Sequence, residues 1–229
     1  MRNILRKSTA VLLCFYLLLC WLSSAFALVT LDVYYSDSMT IGIWNTTPFI
    51  YHDKISTNES FPFVQSLVHG IQQWNPALGM FVTTTTLNTN APIKLFGGTH
   101  VQLSAINGYN NNNMEADYGL CVVNESTWEP TGSIGVYKGQ FYSTAYKYIY
   151  YNVTGFIIEN SDGNINYVKT ATHELGHAFG WHRHPDTYLG LEYTNWVMKQ
   201  GALQNTVLQD GEKQHLGQIY PNSVYYDTD

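Results

Sequence analysis

Cysteine is nearly absent from this chain: it occurs three times in 229 residues, at positions 14, 20 and 121. Positive charge is scarce as well, with eleven Lys and Arg against seventeen Asp and Glu. Both shortages deepen once the N-terminus is read. MRNILRKSTA carries Arg2, Arg6 and Lys7, the apolar run VLLCFYLLLCWL follows, and small residues arrive at Ser23, Ser24, Ala25 and Ala27. This is the anatomy of a secretory signal peptide. With Ala25-Phe26-Ala27 as the small-x-small cleavage site, residues 1–27 are expected to be removed and residues 28–229 to form the secreted, extracellular protein. The apolar run falls short of the roughly 20 residues a spanning helix needs, which argues against a membrane anchor after cleavage. Leu19 before Cys20, where a lipoprotein site has a small residue, argues against lipidation.

Without the signal only Cys121 remains, so an intramolecular disulfide is excluded and stability has to come from packing and from any bound metal. The setting of Cys121, GLCVV, is an apolar strand-like run that favours a buried structural thiol over a nucleophile or a zinc-blocking one. Eight basic residues then face seventeen acidic ones. A balance so acidic argues against nucleic acid and against an anionic membrane surface as ligands. No internal repeat is evident. Four sequons, at Asn45, Asn58, Asn124 and Asn152, matter only in a host that glycosylates them.

What is present is a mixture of helical and strand patterns. LDVYY and the segment around residues 49–52 read as strands. In SFPFVQSLVHGIQQWN, Phe63, Leu67, Ile71 and Trp74 share one helix face, with Ser60 as the expected N-cap and Asn75-Pro76 as the expected stop. MFVTTTT, APIKLF, GLCVV, YKYIYY and GFIIEN read as further strands, separated by Gly- and Asn-rich loops of which NGYNNNNMEAD is the longest. A second helix is expected over residues 167–179, capped by Asn164 or Asn166, with Val168, Ala171, Leu175 and Ala178 as its apolar stripe. A third is expected in DGEKQHLGQIY, where Leu216, Ile219 and Tyr220 face inward and Asp210 lies at the dipole-favoured start. The order of elements indicates an α+β domain.

The chemistry is concentrated in HELGHAFGWHRH, residues 173–184. Residues four apart on a helix differ by about 40° in direction and about 6 Å in height, so His173 and His177 project side by side as two imidazoles on one metal must. Glu174 cannot easily join that ligand set but can reach a water on the metal, the HExxH arrangement in which the glutamate is general base. Val168 lies about 140° round the helix from His173, which would let the helix bury one side and bind metal with the other. The bare motif arises by chance in roughly one such chain in a hundred, so the surrounding residues matter. Gly176 within the helix is costly unless used, and Gly180 can take the left-handed conformation that turns the chain back toward the metal. Ordinary surface histidines would leave the glutamate, the glycines and the following histidines unexplained.

HELGHAFG followed by histidine resembles the metzincin signature HExxHxxGxxH, in its matrixin-like branch. TNWVMKQG is similar to that family's Met-turn and QDGEKQHLGQIYP to its closing helix. The resemblance is sharp over residues 161–221 and only architectural before them. It implies a twisted, mostly parallel sheet packed on two helices, with an upper subdomain over residues 28–180 and a lower one over residues 181–229 that carries the Met-turn and the final helix. It further implies a monomeric zinc endopeptidase acting on protein or peptide substrates, with His173 and His177 as zinc ligands, Glu174 as base and Met198 beneath the metal. Met198 read alone is an ordinary core methionine. Calcium is often used by relatives, but no acidic loop here has a ligand spacing that supports it.

The chain departs from the family pattern in three places. The third ligand position is taken by Arg183, whose guanidinium stays protonated and cannot ligate. His182 and His184 flank it: one extra loop residue would deliver His184, with Pro185 fixing the exit, whereas His182 requires a tighter turn right after Gly180. No tyrosine stands two positions after Met198, and no cysteine lies between Ala27 and the first helix to act as a latency lock. Three functions follow as expectations: an active zinc endopeptidase, a catalytically impaired zinc-stabilised extracellular binding module, and a metal-free surface protein. Retained Glu174 counts against the second, since a purely structural zinc site is closed by a fourth ligand.

Overall fold

The chain divides into two units, Met1–Leu31 and Asp32–Asp229. The computed structural model describes residues 43–109, 118–129, 134–137, 140–143, 147–160, 166–181, 184, 196–199, 205–217, 220 and 222–225. The expected signal peptide, the strand expected in LDVYY, most of the Asn-rich loop, and Asn164, His182, Arg183, Pro185 and Ile219 lie outside these residues. Among the described residues no helix is long and apolar enough to cross a membrane.

In chain order the elements are β1 (Phe49–Lys54), α1 (Phe63–Leu78), β2 (Thr83–Thr85), β3 (Ile93–Gly98), α2 (His100–Leu103), β4 (Gly119–Glu129), β5 (Ile134–Tyr137), β6 (Gln140–Ser143), β7 (Lys147–Ile158), α3 (Tyr167–Ala178) and α4 (Asp210–Gly217). Five strands form one sheet in the order β2-β1-β3-β7-β4, and β5 pairs with β6 in a separate antiparallel pair. β1 is parallel to both β2 and β3, and β3 is parallel to β7; only β4 runs antiparallel, against β7 at the edge. The fold is therefore α+β with a mostly parallel sheet. Parallel neighbours need a crossover connection, and α1 supplies the one from β1 to β2. The two strands expected from YKYIYY and GFIIEN are one twelve-residue strand, because Asn152 between them stays in the ladder opposite Asn124.

Helix α1 buries its expected face: Phe63, Leu67 and Trp74 are fully enclosed and Ile71 nearly so. Each side chain so enclosed contributes on the order of 1.5–3 kcal/mol. Both expected ends of this helix move. Ser60 does not cap it; Ser60 sits in a turn with its N–H on Asn58 Oδ1, and the helix begins after Pro62. The proline is the reason, since it pushes Phe61 before it out of helical conformation. At the other end the helix runs through Pro76 to Leu78. A proline in the last turn forfeits a single hydrogen bond, and burial of Ala77 and Leu78 offsets it. Gly79 closes the helix at φ 60°, where a Cβ would meet the Asn222 carbonyl oxygen at 2.0 Å.

α1 packs on α3, and α3 lies against β4 and β7. Trp74 Nε1 donates to Thr172 O at 2.8 Å and ties the two helices together. Alternation along β4 turns Leu120 and Val122 to the cluster of Leu103, Phe156 and Ile158, while Gly119 meets α3.

Candidate metal centre

Helix α3 carries the site, and its local sequence explains both ends. Asn166, one of the two expected caps, accepts the Lys169 N–H on Oδ1 at 3.1 Å. At the far end Gly180 adopts φ 115°, Trp181 N–H donates to Gly176 O at 2.9 Å and Gly180 N–H to His177 O at 3.1 Å. This is the Schellman pattern, and it reverses the chain as expected of Gly180. Two last-turn carbonyls find outside partners: Trp44 Nε1 donates to Ala178 O and the Tyr220 hydroxyl to Phe179 O.

The expected apolar stripe is present in Ala171, Leu175 and Ala178, all buried, with Val168 partly so. The opposite side of α3 is not open to solvent, however. Lys169, Thr170, His173 and Glu174 are buried too. β4 and the turn at residues 196–199 cover that side, so α3 is an internal helix whose polar groups must all be used.

His173, His177 and His184 come together. Their Nε2 atoms are separated by 3.1 Å between His173 and His177, 2.9 Å between His173 and His184 and 3.3 Å between His177 and His184. Of the two candidates for the third position, His184 is the one the structure brings to the cluster; His182 lies outside the described residues. The outer nitrogens fix the tautomers. His173 Nδ1 sits 2.8 Å from Val197 O, and His177 Nδ1 sits 2.5 Å from Trp181 O. A carbonyl oxygen only accepts, so both Nδ1 atoms carry the hydrogen and both Nε2 atoms of the neutral rings present bare lone pairs to each other. Two lone pairs at 3.1 Å cannot bond one another; a cation between them can bind both.

The fit to a small tetrahedral cation is close. Nitrogens about 2.0–2.1 Å from one centre and a tetrahedral angle apart lie about 3.4 Å from each other. Protonation is disfavoured as well. Burial holds the His173 imidazole well below the ordinary histidine value, the neighbouring His177 opposes a second charge, the hydrogen bond to Val197 pulls the other way, and His184 and Lys169 add to the depression. A neutral imidazole is the form that ligates.

Glu174 is buried beside this cluster, and Gly119 of β4 lies so close that a Cβ there would meet Glu174 Oε1 at 2.6 Å. Cys121, two residues on, is partly buried rather than enclosed. Burial pushes its thiol well up and the charge of Glu174 adds to this, so it stays protonated and is a poor nucleophile. Met198 is fully buried under α3. A Cβ on Gly176 would meet Met198 Sδ at 2.3 Å and Trp74 Cζ2 at 2.8 Å, which is why glycine occupies this interior helix position. Gly176→Ala is therefore expected to destabilise the protein by about 1–3 kcal/mol through overpacking, despite alanine's better helix propensity. Urea unfolding measures it, and a more stable variant would contradict the contact.

Sequence reasoning missed the groups behind the ligands. Val197 O and Trp181 O are backbone atoms without a side-chain signal. Glu212 had one: it stands three residues after Gln209 at the start of α4, the capping-box position. Its carboxylate is fully buried, accepting N–H groups from Met198 and Gln209 at 2.8 Å each. Burial pushes its pKa up to about 7 from an ordinary 4.5, against the pull of hydrogen bonds from Met198, Gln209 and Val197 and of the Lys169 charge. Because the folded value lies above the unfolded one, the stabilising contribution is complete below pH 4.5 and is lost as pH rises through about 7. Across that window the zinc-free wild type is expected to lose about 3 kcal/mol relative to Glu212→Gln, whose amide does not titrate. Denaturant unfolding at pH 4.5 and pH 8 tests this; parallel profiles for the two proteins would exclude it.

No family model matches the chain, and no curated protein is significantly similar to it.

Proposed function

We propose that this chain is a secreted, zinc-dependent metalloendopeptidase of the metzincin type, with His173, His177 and His184 holding the metal, Glu174 as general base and Met198 in a Met-turn beneath the site. The observation that carries the reading is the convergence of three Nε2 atoms within 3.3 Å of one another, with the Nδ1 hydrogens of His173 and His177 committed to backbone carbonyls and a buried carboxylate on the same helix. Three imidazoles leave one tetrahedral position for solvent, the composition of catalytic rather than structural zinc sites.

When bound, zinc would lower the pKa of a coordinated water from 15.7 toward about 7 and polarise a peptide carbonyl. Glu174 accepts the proton of the attacking water and delivers it to the departing amine nitrogen. Its enclosure between α3 and Gly119 holds it in one place for both transfers. His173 and His177 are kept in the ligating tautomer by Val197 O and Trp181 O. A protein or peptide substrate is supported by β4, which runs past Glu174 as an edge strand whose outer side has no strand partner among the described residues. Such an edge can pair with an extended peptide through main-chain hydrogen bonds. The signal-like N-terminus and the acidic balance of the chain support secretion and argue against nucleic acid as partner.

Purified protein supplied with zinc is expected to cleave casein, to stop on adding a chelator and to resume on adding zinc back. Zinc bound stoichiometrically without cleavage would favour the impaired binding module instead, and no bound zinc would end both readings.

A further inference from the structure

Two ionisable side chains that ligate nothing are buried behind the histidine cluster, both hydrogen-bonded to the turn at residues 196–199. Glu212, from α4, is fully enclosed and divides its carboxylate. Oε2 takes the N–H of Gln209 at the start of its own helix, and Oε1 takes the N–H of Met198 at 2.8 Å, with a further hydrogen bond from Val197 N–H. Lys169, one turn before His173 on α3, is also buried and donates from Nζ to Lys199 O at 3.0 Å. Lys199 N–H in turn donates to Trp196 O, closing the turn on itself. Within the same turn the carbonyl of Val197 also faces α3 and takes His173 Nδ1–H.

Capping α4 does not account for this arrangement. A glutamate at that position needs one oxygen for the cap and is ordinarily solvated. Burying a carboxylate and an ammonium is costly unless both are paired and hydrogen-bonded. Glu212 holds the amides in the middle of one four-residue turn, and Lys169 holds the carbonyl of its last residue.

The geometry points to Lys169 and Glu212 as positioning residues: a two-sided clamp on the turn at residues 196–199 that aims the Val197 carbonyl and thereby holds His173 in its ligating tautomer and orientation. This rests on the proposed role of His173 as a metal ligand. It adds that metal affinity is set in part from α4, through backbone rather than through a side chain touching the site. Groups that orient a ligating histidine typically change metal affinity about 10- to 100-fold when altered.

Two measurements on Glu212→Gln and Lys169→Met, each beside wild type, test the clamp. The first is zinc affinity by competition with a chromophoric chelator, together with the visible spectrum of the cobalt-substituted protein. The second, on metal-free protein, is the exchange rate of the His173 Nδ1–H proton by nitrogen-15 NMR of labelled histidine. Glu212→Gln is expected to bind zinc about 10- to 100-fold more weakly, to shift the cobalt spectrum and to exchange that proton at least about tenfold faster, with His177 Nδ1–H unaffected. Lys169→Met keeps the aliphatic volume and should show the same changes, several-fold in size. If Glu212→Gln fails to fold, Lys169→Met decides. A folded variant with zinc affinity within twofold of wild type and unchanged His173 exchange overturns the clamp. Loss of folding stability without the His173-specific exchange change also overturns it, since that is what a merely structural pair would do. A wild type that binds no zinc but shows the His173 exchange difference refutes the metal reading and leaves the clamp standing.

Discussion

Glu174→Gln is expected to fold, to bind zinc as tightly as wild type and to cleave casein about 10²- to 10⁴-fold more slowly. The two side chains have the same shape, and Glu174 is enclosed between α3 and Gly119, so the amide can occupy the carboxylate's place without opening a cavity. What it cannot do is take a proton at neutral pH. The two imidazoles on α3 that would hold the metal stay as they are, because the outer hydrogens of His173 and His177 rest on Val197 O and Trp181 O. Retained metal together with lost turnover is therefore the signature of a general base, and loss of both would make Glu174 a support for the fold. Zinc content by atomic absorption and a casein assay on the same preparation separate these outcomes. Wild-type turnover in the glutamine variant would remove Glu174 from the mechanism altogether.

Much of the site was legible in the sequence because a helix converts spacing into direction. A spacing of four positions from His173 to His177 places two imidazoles on one face whatever else the chain does, and Gly180 followed by His184 signalled a reversal that only a positive φ allows. The strands around APIKLF and GLCVV were legible for the same reason, an apolar pattern bounded by turn residues. The errors have a common cause, which is that tertiary burial overrides local signals. Pro76 ought to have ended α1 and did not, since Ala77 and Leu78 are driven into the core. α3 read as two-faced because Val168 lies about 140° round the helix from His173, yet β4 and the turn at residues 196–199 enclose Thr170, His173 and Glu174 on that other side as well. Edge strands and turns that arrive from distant parts of the chain have no local signature. The hydrogen-bond partners of the ligands were out of reach for a stricter reason: Val197 and Trp181 contribute carbonyl oxygens, which every residue possesses.

The third histidine is where the departure from the resembled signature can be decided at the bench. His184→Ala is expected to lose zinc at the concentrations where wild type is saturated, and His182→Ala to keep it. The argument is one of shared free energy. A protein zinc site is worth on the order of 10 kcal/mol, so an even share among three imidazoles is about 3 kcal/mol each, more than a hundredfold in dissociation constant. Removing His184 costs at least that share, because His173 Nε2 and His177 Nε2 are left as the sole protein ligands, and two imidazoles on one helix turn cannot close a tetrahedral set. Arg183, standing where the family signature has its ligand, carries a permanent charge and cannot substitute. The metal-free fold should survive the change, since α3 is anchored by its packing on α1, by the Trp74 bond to Thr172 O and by the caps at Asn166 and Gly180. Chelator competition on both variants reads the result directly: equal, wild-type affinity in His184→Ala would transfer the third position to His182, and loss of zinc in both variants would mean that the loop, rather than one imidazole in it, governs the grip.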